Sequence, residues 1–274
     1  MTEQTVTIYC LLDDFFRTTR RREPRNRRLN DAQILTTALV AARYFGGNVA
    51  TACAYMQQYH GQAMLDKSGF WRRLHTLHEP LMALVAALGR HLKDLNTSTK
   101  HVIDSAPIAV CDNMRIKRSR LVKGEAHRGY CASKRHYFYD FKLQLVITAD
   151  GLPVDCFIHA GSTADITALQ AMPLHLPAGS TLYADAGYTD YALEEDWLAA
   201  EGVELLAARR GNALRQHHPS VAYLIRHYRK GVETALSGII DLFPQKIHAV
   251  TATGFFLKIT LFAFAYTLQK MAQA

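Results

Sequence analysis

Apolar positions along the first hundred residues recur at helical spacing, and the alternation that marks strands sets in only after them. From Thr5 to about Asn96 the pattern is helical throughout. One helix is predicted behind the N-cap candidates Asn30 and Asp31, with Ile34, Leu35, Ala38, Leu39 and Ala42 on one face and a stop at Gly46-Gly47. Another is predicted from about Leu81 to Leu95 behind Pro80, where Leu81, Leu84, Val85, Leu88 and Leu92 form one buried stripe. "NTSTK" (Asn96 to Lys100) reads as a linker, which divides the chain into a helical section over 1–98 and a second region over 99–274.

In the second region "HVIDSAPIAV" and "FYDFKLQLVITADGLPVDCFIHAG" are rich in β-branched and aromatic residues, and Asp150-Gly151 is a tight-hairpin signal. Strands are predicted over about 101–110, 138–148 and 153–159. A helix follows from Ser162, with Ser162 and Asp165 in capping-box relation. Then come a strand over 181–185, a helix over 190–200 stopped by Gly202, a strand over 203–208 and a long helix from about Val221. The stripe of that last helix is Val221, Leu224, Ile225, Tyr228, Val232, Leu236, Ile239 and Phe243. The order βββαβαβα makes an α/β protein with a mixed sheet flanked by helices. The apolar run from Gly254, "GFFLKITLFAFAYTL", is broken by Lys258 and shorter than the roughly 20 residues of a membrane span, so it is predicted to be a core helix.

Charge narrows the partners. The 274 residues carry 32 Lys and Arg against 24 Asp and Glu, a net +8, which favours a polyanion such as nucleic acid and also admits an anionic membrane surface. Much of the excess lies in 111–137, a long basic connection between the first two predicted strands. The five cysteines are scattered without a CxxC pair, which argues against a disulfide framework and against a zinc ribbon. Glu3, Asp13 and Asp14 interrupt the apolar start and no basic n-region precedes it, so no signal peptide and a cytoplasmic location are expected. GxxxxGK[ST], GxGxxG, GxSxG and HExxH are all absent, which disfavours ATP-driven, nicotinamide, serine-hydrolase and zincin chemistry.

What remains is a set of acids. Asp104 closes the apolar run His101-Val102-Ile103 as Asp185 closes Leu182-Tyr183-Ala184, and open α/β sheets gather ligands at the carboxyl ends of strands. Taken alone, either residue reads as a turn or N-cap acid. Glu233, on the long helix, reads alone as the partner of Arg229 in an exposed salt bridge. Together they suggest carboxylate oxygens for hard cations such as Mg²⁺, two of which, about 4 Å apart, can clamp an in-line phosphoryl displacement.

This combination resembles the RNase H-like catalytic domain of DDE transposases from bacterial insertion sequences. "VIDSAPIAVCDNMRIKRSR", "ASKRHYFYDFKLQLVIT", "YADAGYTDY", "RKGVETALSGI" and "KIHAVTATGFFLKITLFAFAY" are similar to segments of the insertion-sequence family numbered 982, and "SGFWRRLHTL" to its helical N-terminal part. The resemblance implies Asp104, Asp185 and Glu233 as the catalytic and metal-binding triad. It also implies two Mg²⁺ or Mn²⁺ ions, cleavage of transposon ends and strand transfer into target DNA. Arg229 and Glu233 fit the Arg-x-x-x-Glu core of the wider superfamily signature, whereas its tyrosine and lysine positions hold Arg226 and Ile240. The implied partners are terminal inverted repeats and target DNA, with a homodimer holding two ends on the nucleoid. Candidate DNA contacts are Arg115, Lys117, Arg118, Arg120, Lys123, Arg128, Lys134 and Arg135 in the basic connection, with Arg229 beside Glu233. Arg72 and Arg73 join them if "NVATACAYMQQYHG" and "SGFWRRLHTL" form a helix-turn-helix; an ordinary helical bundle is the alternative. Competing functions are an RNase H-like nuclease without strand transfer and a transposase-derived DNA-binding protein that has lost catalysis.

Overall fold

The stripe behind Asn30 forms helix α2 (Asp31–Tyr44), and its start is fixed by a reciprocal cap. Asn30 Oδ1 accepts from the Gln33 N–H at 2.7 Å, while Gln33 Oε1 accepts from the Asn30 N–H at 2.8 Å. The helix stops where Gly46 and Gly47 turn to φ 53° and 78°, a conformation that favours glycine, and a Cβ on Gly47 would meet the Phe262 ring at 2.9 Å. α2 is buried on almost every side, against α1 (Thr2–Thr18), α3 (Val49–His60), α4 (Lys67–His75) and α9 (Ala252–Met271). α9 is the run from Gly254; thirteen of its residues, from Gly254 to Leu268, are buried, as expected of a helix apolar all round. Among the described residues no helix is long and apolar enough to cross a membrane.

The computed structural model describes residues 1–23, 27–112, 128–131 and 136–273. It divides into two compact units, Met1–Val85 with Ile239–Ala274 and Ala86–Gly238. α5 (His78–Leu95) begins three residues before the predicted Leu81, with Pro80 in its first turn where a missing N–H costs nothing.

The second unit is built on a six-stranded sheet among the described residues: β1 (Lys100–Asp112), β2 (Arg128–Cys131), β3 (His136–Thr148), β4 (Pro153–Ala160), β5 (Thr181–Ala184) and β6 (Glu204–Ala207). β6, β5, β1 and β3 lie side by side, and β2 and β4 share the far edge of β3, β2 along His136–Tyr139 and β4 along Phe141–Ile147. β1 is parallel to β5 and β5 to β6; the other pairs are antiparallel, so the sheet is mixed. The connection 111–137 is therefore not loop throughout. "RGYC" at Arg128–Cys131 shows no apolar alternation, and only its pairing with β3 makes it a strand.

α6 (Asp165–Ala171), α7 (Tyr191–Glu201) and α8 (Pro219–Asp241) complete the unit. Asp190 caps α7 by accepting from the N–H groups of Ala192 and Leu193, and Gly202 ends it at φ 66°. α8 buries Ile225, Val232, Ala235 and Leu236, and Ile239 beyond the unit boundary, but Leu224, expected in the stripe, is exposed. α5 closes on β4 at Gly89, where a Cβ would lie 2.0 Å from the Val154 carbonyl oxygen, and at Lys93, whose buried ammonium donates to Asp155 Oδ2 at 3.0 Å.

Candidate active site

Two parallel strands bring the first two acids to one edge. In the β1–β5 ladder Lys100 pairs with Thr181, His101 with Leu182 and Val102 with Tyr183. Asp104 and Asp185 each follow two residues after the last of these pairs, so both stand just past the end of the parallel pairing, Asp185 after the last residue of β5 and Asp104 inside β1, which continues to Asp112. Asp104 Oδ1 accepts from the Ser105 N–H at 2.8 Å, and its Oδ2 lies 3.4 Å from Arg229 Nη2. Burial raises the Asp104 pKa, and the charge of Asp185 adds to the rise; the Ser105 N–H and Arg229 work against them.

Asp185 is an N-cap in the structure. Its Oδ1 accepts from the Gly187 N–H at 2.6 Å and so caps a 3₁₀ turn, Ala186–Tyr188, while its charge reaches Asp104. The cap fixes the carboxylate on the strand end.

Glu233 comes from α8. Arg229 Nη2 lies 3.4 Å from Glu233 Oε1, one turn along the helix, and the same nitrogen faces Asp104, so a single cation stands between the two carboxylates. Glu233 is 58% exposed and Asp104 only 15%. α8 is held there by Tyr228, whose ring stacks on Tyr183 with centroids 4.8 Å apart and whose hydroxyl accepts from Lys100 Nζ at 3.2 Å. Gly231 gives close approach: a Cβ would sit 3.3 Å from Ile147 Cδ1.

Residues outside the sequence-derived set also border this edge. Asp165 does not form the expected capping box. α6 begins at Asp165 behind Ala164, which makes no side-chain cap, and the Asp165 carboxylate turns to Ser105 and Lys142 instead. Ser105 Oγ donates to Asp165 Oδ1 at 2.7 Å and Lys142 Nζ does so at 3.0 Å. Ser105 could have been noticed as the neighbour of Asp104 in "VIDSAP"; a lone lysine in "DFKLQLV" carried no signal.

Among the described residues no three His, Cys, Asp or Glu side chains converge closely enough to hold a metal ion. The donor chemistry nevertheless fits a hard divalent cation, since the groups are carboxylates and the space between Asp104 and Glu233 already holds a positive charge, Arg229.

The candidate DNA contacts Arg115, Lys117, Arg118, Arg120, Lys123, Lys134 and Arg135 lie outside the described residues, as does the side chain of Arg128, which opens β2. On α4, Arg72 is exposed, whereas Arg73 donates to Asp31 Oδ1. Arg21 holds the other oxygen of that buried carboxylate at 2.6 Å.

Residues 95–243 match the family described as Transposase DDE domain. No curated protein and no solved structure matches the chain.

Proposed function

The chain belongs to the transposase DDE domain family, and on that premise we propose that it cuts the ends of a DNA transposon and joins them to target DNA, with Asp104, Asp185 and Glu233 as the acids that hold Mg²⁺ or Mn²⁺. The observation that carries this reading is that elements distant in sequence, the paired parallel strands β1 and β5 and the helix α8, bring up Asp104, Asp185 and the Arg229-linked Glu233.

A divalent cation held there supplies Lewis acidity at the scissile phosphate. The chain's own groups do the rest. Asp185, anchored by the Gly187 N–H, keeps its carboxylate fixed without help from ligand. Asp104 would hold the cation through a carboxylate whose charge is disfavoured by burial and by Asp185. Glu233, the more exposed acid, approaches from the solvent side. Arg229 offers its guanidinium to a DNA phosphate, which frees the two acids it bridges. The basic residues of 111–137 supply sequence-independent affinity for the backbone, and a dimer holds two ends together.

The test is Mn²⁺-dependent cleavage of a terminal inverted repeat from the transposon that encodes the chain. Asp104→Asn, Asp185→Asn and Glu233→Gln are each expected to lose cleavage at least about a thousandfold while binding the repeat nearly as the native protein does. Retained cleavage in one variant removes that residue from the triad. Cleavage without joining identifies a nuclease, and DNA binding without metal-dependent cleavage identifies a protein that has lost catalysis.

A further inference from the structure

We propose that the loop 208–218 is a DNA-contacting loop whose exposed Leu214 enters a base step beside the scissile phosphodiester; the inference rests on the reading of the site just given. The loop leaves β6 level with Asp185. Ala208 donates its N–H to the Ala184 carbonyl at 3.0 Å, and its own carbonyl accepts from Thr189 Oγ1 at 3.2 Å, so the loop starts pinned to the residues that flank the turn capped by Asp185. Its far end returns to the same place, because His217 Nε2 donates to the Ala207 carbonyl at 2.8 Å. Surface loops with joined ends are frequently functional.

Within that frame the backbone is fixed from several sides. Arg209 forks onto Glu194 at 2.7 and 2.5 Å, and the Arg209 and Arg215 guanidiniums lie against the Tyr191 ring, 4.9 and 4.8 Å from its centroid. The Tyr191 hydroxyl accepts from the Arg215 N–H at 3.3 Å. Gln216 Nε2 donates to the carbonyls of Arg210 and Ala213 at 3.0 and 3.1 Å. None of these contacts takes up the Leu214 side chain, which is 92% exposed, the most of any large hydrophobic among the described residues.

A lone exposed leucine is ordinary on a protein surface; this one is held out by an anchored loop, between Arg210 and Arg215 in sequence. Arg210 is exposed and meets no carboxylate among the described residues. α8 follows directly and adds exposed Tyr223, Leu224 and Arg226. Apolar side chains set among cations suit duplex DNA, where guanidiniums take the phosphates and an apolar wedge replaces stacking at an opened step. A free phosphate would satisfy Arg210 alone. Opening one step bends the duplex and lets the adjoining phosphodiester reach the edge that carries Asp185.

The experiment uses the full chain and terminal-repeat duplexes carrying 2-aminopurine at successive positions around the cleavage site, without divalent cation so that the DNA stays intact. The probe brightens when it loses its stacking. Native protein is expected to brighten one step several-fold, Leu214→Ala to leave it dark and Leu214→Phe to restore the signal. Cleavage by Leu214→Ala in Mn²⁺ is expected to fall about tenfold, as positioning losses do. Arg210→Gln is expected to reduce the salt slope of binding by about one, whereas Leu214→Ala keeps the native slope. Leu214 is almost wholly in solvent, so its truncation leaves the fold intact, and matching thermal melts check this. Native-like brightening in Leu214→Ala, or none with native protein bound to the repeat, overturns the wedge. A dimer that Leu214→Ala dissociates in sedimentation without DNA assigns the leucine to a second copy of the chain and overturns it as well. Native protein that neither binds nor cleaves the repeat overturns the reading of the site itself.

Discussion

Arg229 Nη2 stands 3.4 Å from Asp104 Oδ2 and 3.4 Å from Glu233 Oε1, so one guanidinium nitrogen bridges acids that lie 129 positions apart in sequence. Both contacts are long for charge-assisted hydrogen bonds, which favour about 2.7–2.9 Å, and Arg229 is accordingly a displaceable cation. Arg229→Gln removes it. The DNA-free variant is expected to bind Mn²⁺ about three- to tenfold more tightly and a terminal repeat more weakly, read by calorimetry and by fluorescence anisotropy. If Mn²⁺ affinity does not change, Arg229 does not compete with metal.

Gly187 is required by space and not by φ. An added Cβ would fall 2.9 Å from Asp185 Oδ1, closer than such contacts tolerate, so the carboxylate must leave the Gly187 N–H that it caps. Gly187→Ala is expected to lose about 1 kcal/mol of stability, the worth of a cap. Cleavage should fall at least about tenfold, because an approximately 1 Å displacement at a reacting centre is felt that strongly. A thermal melt read beside a cleavage assay separates the two effects, and unimpaired cleavage would show that the position of Asp185 is not critical.

The sheet and the three acids were legible because strand ends and the α8 stripe are local patterns: Leu182-Tyr183-Ala184-Asp185 announces a strand and its terminal acid within four residues. β2 was not, since Arg128–Cys131 owes its strand to pairing with β3 and not to its own propensity. Asp165 was misread for a related reason. Its spacing from Ser162 matches a capping box, and nothing local reveals that Ser105, sixty residues earlier, takes its carboxylate instead. Nor does linear order show that α9 belongs with the front helices, because its packing against α2 joins segments some two hundred residues apart.

Arg72 and Arg73 are neighbours in sequence with different duties. Arg73 and Arg21 share the carboxylate of Asp31, which is only 3% exposed, so Arg73→Ala strands a buried charge with one partner removed. Arg73→Ala is expected to lower unfolding free energy by about 2–3 kcal/mol. Arg72→Ala, at an exposed position, should change it by less than about 0.5 kcal/mol. DNA affinity should respond in the opposite order, with Arg72→Ala weakening binding and shallowing its salt dependence. Urea unfolding and anisotropy at two salt concentrations give both readings. Equal stability loss in the two variants would refute the division.

Asp140 on β3 is 1% exposed, its Oδ1 has no hydrogen-bond partner, and burial pushes its pKa up to about 7 against the pull of Lys142. The folded state therefore binds a proton that the unfolded chain, with an ordinary carboxylate near 4, releases. Stability from this group is present below about pH 4 and is lost as the pH rises towards about 7. His101, fully buried on β1, has the opposite sign. Burial and the charge of Lys93 lower its pKa to about 4, so the folded state resists protonation and stability falls as the pH drops from about 6.5 to 4. The two slopes oppose each other across one window, so each partly masks the other in the native protein. Asp140→Asn stays neutral and removes one of them. The variant is expected to exceed the native protein in stability by on the order of 3 kcal/mol near pH 8, to converge with it near pH 4, and to show the rising slope of His101 between. Urea midpoints measured at acidic, intermediate and alkaline pH test this, and a variant that parallels the native protein at every pH would mean that Asp140 is ionised in the fold.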